Sequence, residues 1–449
     1  MVLRKKRFST TPTFLLDVHQ SMCYIFFMAH EITFPSVENY LAPYSSFFHR
    51  VEGIELANCY VTGLMMEGER KSVEPMSERV HASERGMQRL LTEVKWDHEG
   101  VSKEYRQQML AETSDSQGIL VVDDTAFPKK GRHTVCVARQ YCGALGKVSN
   151  CQVGVSLTYV GQEVSWPYKM DLYIPKSWDN LKDPDCVQMR KKTRMPETAH
   201  YRKKWQIALE QIDLALEERV PHRAVVADSW YGNVPEFRKE LDERKEKYVV
   251  GVYSDTEVFL DPPVIVDAQP RKRKRGRPRK YPKVIETNPP PVKVSELGKT
   301  VGEDEWERLE LRRDSRGEPL IVEAVSRRVW PAQGYRKGAV HEEVWLIIER
   351  RHKTKDQFEL RYFFCNMPQD MPTWQMVRFF HERFWIEQGY QQLKEELGLD
   401  HHEGRSWIGW HRHVLLVFLA FGYLTQIRLQ EKKLRIQSIW QKKLQLVLT

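Results

Sequence analysis

Residues 119–131 read ILVVDDTAFPKKG, a short apolar run that ends in two adjacent aspartates and a threonine. Four β-branched or leucine side chains in succession predict a strand buried on both faces, the kind found inside a parallel or mixed sheet. A carboxylate has no place in such a core, so the aspartates mark the point where the strand reaches the sheet end. The same pattern recurs at AVVADSWYGN, 224–233, where Asp228 closes a second apolar run.

Around these two runs the period of the sequence changes twice. From Val51 to about Thr113 apolar residues recur at three and four (Met87, Leu90, Leu91, Val94), which predicts helices. Within that region, SVEPMSERV and SERGMQRLLTEVKW suit either a helix-turn-helix with Gln88, Arg89 and Lys95 on the free face or a plain helical bundle. Strands are then expected at 119–124, 133–142, 151–160 and 169–175, followed by a helix at 200–218, the strand ending in Asp228, a further helix, and a strand at 248–253. Strands that meander and then alternate with helices predict a mixed α/β sheet. WERLELRR, IVEAVSRRVW, EVWLIIERR and FELRYFFC predict an inserted antiparallel subdomain, and from about Thr373 the pattern is again helical.

Composition narrows the function classes. Seven cysteines without a C-x-x-C pair suit neither a disulfide framework nor a zinc module, and point to reduced thiols in the cytoplasm. The start resembles a signal peptide only weakly, because Asp17, His19 and Gln20 interrupt its apolar stretch. The longest apolar run, Val414 to Leu424, is shorter than a membrane span and predicts a buried helix. Lysine and arginine number 70 against 61 acidic residues, but eight of them lie in RKRKRGRPRK, 271–280, leaving 62 against 61 elsewhere. With prolines on both sides, 261–292 is expected to be an extended tether. Its Arg275, Gly276, Arg277, Pro278, Arg279 and Lys280 resemble an AT-hook, whose arginines enter a narrow minor groove; a solvated basic linker binding any polyanion is the alternative.

In MVRFFHERFWIEQGYQQLKEELGLDHH, Phe380, Arg383, Glu387, Gln391 and Lys394 fall three or four apart and so share one helical stripe. A salt-bridged surface face explains that stripe; so does an acidic site. Asp124, Asp228 and Glu387 brought together would repel unless a hard cation lay between them, and magnesium takes oxygen ligands of this type. Asp228 also suits a helix N-cap ahead of Trp230. His401, His402, His411 and His413 lie among Arg405, Trp407 and Trp410, which suits helix packing or nucleic-acid contact better than a metal.

DDTAFPKKG, VARQYCGALGKVSNCQVGVSL, VVADSWYGN and WIEQGYQQLKEELGLDHHEGRSWIGWHRH together resemble the bacterial insertion-sequence DDE transposases. The resemblance is to the insertion sequence seven-zero-one family and its hairpin-forming relatives, from about Glu52 to Leu424. Of the signature Y-x-x-R-x-x-x-E-x-x-x-x-x-x-K, Arg383, Glu387 and Lys394 match, and Phe380 stands in place of the tyrosine. The resemblance implies a ribonuclease H-like catalytic core interrupted by an antiparallel β-rich insertion. It also implies two magnesium ions, replaceable by manganese, held by Asp124, Asp228 and Glu387, with Asp123 the alternative to Asp124. Arg383, Lys394 and Phe380 would contact DNA, as would Trp407 and Trp410 by stacking on an extruded base.

The implied reaction is cleavage at terminal inverted repeats and strand transfer into target DNA by a homodimeric synaptic complex, at the bacterial nucleoid and away from any membrane. A non-catalytic DNA-binding regulator and a structure-specific nuclease are the alternatives. The expected division is 1–45, an extension; 46–115, a helical DNA-binding region; 116–255, the first part of the core; 256–372, the insertion; and 373–449, the closing helices and tail.

Overall fold

The computed structural model describes residues 35–162, 164–266, 283–284, 289–313, 317–333, 342–354 and 357–448. The AT-hook-like residues Arg275, Arg277, Arg279 and Lys280 lie outside them, as does the segment that resembles a signal peptide.

The helical start is real. Helices α1 (Val37–Leu41), α2 (Val51–Met65), α3 (Val73–Arg79), α4 (Glu84–Thr92) and α5 (His98–Thr113) precede the first strand. Ser36, Ser83 and Asp97 accept backbone N–H bonds at the starts of α1, α4 and α5, satisfying donors a helix cannot pair internally. Met87, Leu90 and Leu91 are buried against the long closing helix, here α13 (Trp407–Leu448). The joint is polar as well as apolar. Arg412, on α13, is 4% exposed and donates to the carbonyls of Leu90 (3.1 Å), Val94 (2.9 Å) and Trp96 (3.3 Å). Its guanidinium lies 4.7 Å from the centre of the Trp96 ring, and burial pushes its pKa down to about 10. One side chain therefore closes the C-terminal turn of α4 and the loop behind it.

The segment Trp407–Leu434 reaches membrane-span length and hydropathy as one continuous helix, which the shorter apolar run at 414–424 did not suggest. Yet 61% of its apolar window is buried inside the protein, the role expected for that run.

The sheet begins with β1 (Ile119–Pro128), β2 (Ala138–Cys142), β3 (Lys147–Val160) and β4 (Ser165–Leu172). After α6 (Pro184–Lys192) and α7 (Lys204–Glu217) come β5 (Ala224–Ala227), α8 (Ser229–Gly232), α9 (Pro235–Glu243) and β6 (Tyr248–Val252). β1 is antiparallel to β3 and parallel to β5, which is parallel to β6. Leu120, Val122, Val225 and Ala227 face a core shared with Ile207 and Ile212 of α7 and Phe237 and Leu241 of α9. Val121, Val226 and Val249 face the opposite core. Alternation within an apolar run thus divides it between two layers. Gly232 has a specific duty: a Cβ there would lie 1.9 Å from the Gly251 carbonyl oxygen, so only glycine lets α8 sit this closely on β6.

The strands expected after the basic tract are present, and they continue the sheet of the preceding strands. β7 (Glu257–Phe259) and the small pair β8 (Ile265–Val266) and β9 (Lys283–Val284) come first, then β10 (Val292–Lys293) and α10 (Val294–Thr300). β11 (Glu307–Arg313), β12 (Pro319–Pro331), β13 (Val344–Thr354) and β14 (Gln357–Cys365) form an antiparallel run. β14 pairs with β6 through Tyr362↔Val252 to Cys365↔Val249, so this antiparallel run and the earlier strands share one 12-stranded sheet. Satisfying the β6 edge with strand hydrogen bonds is the physical reason for the continuity.

The closing helices depart from the single stripe expected. α11 (Thr373–His381) ends, and α12 (Phe384–Gln391) starts with Arg383 as its N-cap; a π turn then spans Gln392–Glu396. Met376, Val377 and Phe379 of α11 and Ile386 of α12 cover the face that carries Val121 and Val226.

Replacing Arg412 with methionine should lower stability by about 3 kcal/mol, since several buried carbonyls lose their donor at once. Urea unfolding of the two proteins measures it; an unchanged midpoint would show that α13 is held by apolar contact alone.

Candidate functional site

Parallel pairing of β1 with β5 aligns Val121 with Val226 and Val122 with Ala227, so the next residues, Asp123 and Asp228, stand side by side where β5 ends; β1 does not stop there as expected but runs on to Pro128, paired with β3. Both continue the face of Val121 and Val226, the one covered by α11 and α12. Arg383, where those helices meet, reaches this pair: its Nη2 donates to Asp123 Oδ2 at 2.7 Å, and its Nη1 lies 3.7 Å from Glu387 Oε1. Burial opposes the charge of Arg383, but Asp123, Asp228 and Glu387 outweigh it and raise its pKa above the ordinary arginine value.

Asp228 is also the N-cap of α8, accepting from Trp230 N (2.9 Å) and Tyr231 N (3.2 Å), both on Oδ1. Burial, then the neighbouring charge of Asp123, push its pKa up to about 6, against the pull of Arg383. Cap and acidic-site member are therefore compatible roles for one side chain.

Asp124 is placed differently from its expected position. Alternation along β1 turns it to the α7 face, where Lys204 Nζ lies 3.0 Å from its Oδ2. Burial raises its pKa while Lys204 opposes. The ammonium of Lys204 lies between the Trp230 ring at 5.3 Å and the Tyr173 ring at 5.8 Å. Of the adjacent aspartates, Asp123 shares a face with Asp228 and Glu387.

Glu387 remains 61% exposed. Lys394, in the π turn, donates to the Ala126 carbonyl at 3.1 Å and lies 5.5 Å from the Phe127 ring; burial lowers its pKa. It belongs to the extension of β1 beyond the acidic pair. Phe380 packs its ring 3.9 Å from that of Phe363, so the apolar side chain where a tyrosine was expected is used against the sheet.

The stacking role expected of Trp410 does not hold. It is 2% exposed and packs edge-on against Phe127 and His411. Trp407 is half-buried against His411, ring centres 4.5 Å apart. His413 is enclosed by the Tyr60 hydroxyl and the Gly398 and Leu399 carbonyls, and burial pushes it down to about 4; His402 stacks on it at 5.0 Å. These histidines are packing residues. Gln88, Arg89 and Lys95 are exposed as expected, but Gln88 and Arg89 bond to Glu84 and Glu93 of their own helical region.

Some neighbours of the acidic pair went unnoticed in the sequence. Tyr390 bonds to Ser156 at 2.5 Å, and Ser156 is the register partner of Asp123. Tyr390 falls seven residues after Arg383 and three after Glu387, so the same helical spacing pointed to it. Arg312 of β11 lies 3.4 Å from the Phe384 ring and is drawn by Glu382 and Glu387; no local pattern links that strand to α12. Trp230 and Trp385, each within two residues of a site carboxylate, are 40% and 43% exposed.

The donors are carboxylate oxygens of the type a divalent cation such as magnesium accepts, and the two aspartates already repel. Among the described residues no three His, Cys, Asp or Glu side chains are gathered closely enough to hold one metal ion. Arg383 supplies the neutralising charge in this arrangement.

A family model described as DDE superfamily endonuclease matches residues 44–318. A probable transposase for insertion sequence element IS701 from Microchaete diplosiphon is 28% identical over 228 residues, covering 50% of this chain and 56% of the relative. The alignment thus spans a little over half of that relative. The NurA nuclease from Sulfolobus solfataricus overlaps 64% of this chain and 80% of its own, at 10% identity and a TM-score of 0.24, too low to bear on the fold.

Asp228→Asn keeps the cap and removes the charge. A carboxyl whose folded pKa is raised to about 6, against about 3.9 unfolded, loses stability as pH rises through that window. In EDTA the variant should therefore melt above wild type at pH 7, with the difference vanishing near pH 4. Equal melting temperatures at pH 7 would show that the carboxylates do not repel.

Proposed function

We propose, from the premise that the chain belongs to the DDE superfamily endonuclease family, that it is a transposase that cleaves DNA at the ends of its element and joins them to target DNA. The observation that carries this reading is the placement of Asp123 on β1 beside Asp228 at the end of the parallel strand β5, with Arg383 linking them to Glu387. The strand order β4-β3-β1-β5-β6, in which only β3 runs against the rest, supports a ribonuclease H-like core.

Asp123, Asp228 and Glu387 would hold the cation. When bound, magnesium, or manganese in its place, activates a water or a 3′-hydroxyl and stabilises the leaving oxygen. Bringing Glu387 inward requires Arg383 to release Asp123, which frees its guanidinium for a phosphate oxygen. Asp124 orients Lys204 at the opposite side of the strand, and Lys394 lies at the continuation of β1 where the DNA backbone would pass. Trp230 and Trp385 take over the stacking first expected of Trp407 and Trp410. DNA with terminal inverted repeats as substrate, a homodimeric synaptic complex and action at the bacterial nucleoid follow from the family resemblance.

A DNA fragment carrying the gene with its flanks, incubated with purified protein, should be cut at the element's ends in magnesium and not in EDTA. Asp123→Asn, Asp228→Asn and Glu387→Gln should each reduce cutting at least about a hundredfold, more than loss of a residue that only supports a ligand. Asp124→Asn should retain the larger share. Loss in Asp124→Asn with cutting retained in Asp123→Asn would transfer the ligand role to Asp124. End binding without cutting in wild type would favour a DNA-binding regulator.

A further inference from the structure

Beyond the end of β1 lies a cavity of about 420 Å³ lined by His133, Met189, Lys192, Thr193 and Arg405. Three separate segments build it: the loop after β1, the last turn of α6, and the loop entering α13. They are tied together by backbone bonds, Val135 N to the Arg405 carbonyl at 3.1 Å and Trp407 N to the Thr193 carbonyl at 2.8 Å. No carboxylate lines the cavity. Lys192 and Arg405 are exposed and pair with no acidic group among the described residues, unlike the nearby Arg70, which is bonded to Glu403. The neighbouring Arg132 is exposed as well. Cations without a carboxylate beside them gather around this recess, and such a recess attracts a polyanion.

Its position narrows the choice of polyanion. β1 carries Asp123 and runs on to Pro128, and at about 3.3 Å per residue its end lies about 17 Å beyond the acidic pair. That is about five base-pair steps of a duplex at 3.4 Å each. Lys129, the next residue, is tied to the His402 carbonyl at 2.7 Å, so the strand end and the loop before α13 move together.

We propose that this cavity seats a sugar-phosphate unit of the DNA backbone several steps from the bond to be cut, with Lys192 and Arg405 on its phosphate. The inference rests on the transposase reading and adds to it a backbone clamp separate from the acidic pair. A volume of about 420 Å³ admits a sugar and its phosphate, and the apolar, half-buried Met189 suits the sugar.

The test uses the full chain in EDTA and a fluorescein-labelled duplex of arbitrary sequence, with affinity followed by anisotropy over a range of salt concentrations. Lys192→Gln with Arg405→Gln should lower affinity at least about tenfold and reduce the slope of log affinity against log salt by about 0.9, since the two cations together neutralise one phosphate. Lys293→Gln with Lys299→Gln, the same charge removed from exposed positions elsewhere, should keep the wild-type slope. Thermal melting verifies that both variants fold. A wild-type slope in the cavity variant, or an equal fall in the control, would overturn the clamp while leaving the transposase reading intact. Failure of the wild type to bind any duplex would overturn both.

Discussion

Two carboxylates side by side on neighbouring parallel strands repel, and burial makes that repulsion expensive. Arg383 is what allows Asp123 and Asp228 to remain there as a pair. It can do so only because α11 stops at His381 and α12 begins after it, which turns the guanidinium toward the sheet end instead of along a continuous helix face. The break in the helix, the register of β1 with β5 and the approach of Glu387 are therefore one arrangement. Disturb the register by one residue and Asp124 would take the place of Asp123, with Lys204 on the wrong side.

The later antiparallel strands serve that arrangement through the shared sheet. Pairing β14 with β6 carries the hydrogen-bonded surface outward from the strand next to β5, and β11 brings Arg312 onto Phe384 beside Glu387. A rigid extension of this kind delivers a cation to α12 from a strand 75 residues earlier in the chain. The helical bundle at the other end works by a similar economy: α13 holds α4 through Arg412 and holds the core through its apolar face, so the loop at 399–406 is fixed between them.

Aromatic side chains are divided by the same geometry. Trp410 and Phe380 fill space between layers, whereas Trp230 and Trp385 remain open beside the carboxylates. Hydrophobic surface left exposed next to paired charges suits a ligand that is itself part flat ring and part anion.

Apolar runs ending in acid, helical spacing around Arg383 and Glu387, and the change of period along the chain were legible without a structure, because buried strands and amphipathic helices impose local patterns. Local pattern by itself thus determined the mixed α/β class, the two apolar runs that lead into Asp123 and Asp228, and the helical segment that carries Glu387. Which of Asp123 and Asp124 lies beside Asp228 and Arg383 was decided by tertiary structure alone: adjacent residues on a strand point to opposite faces, and only the strand's packed neighbours tell the faces apart. The burial of Trp410, the lysine opposite Asp124 and the arginine from β11 were closed to sequence for a related reason. Each depends on contact between elements far apart in the chain, and no spacing rule reaches across them.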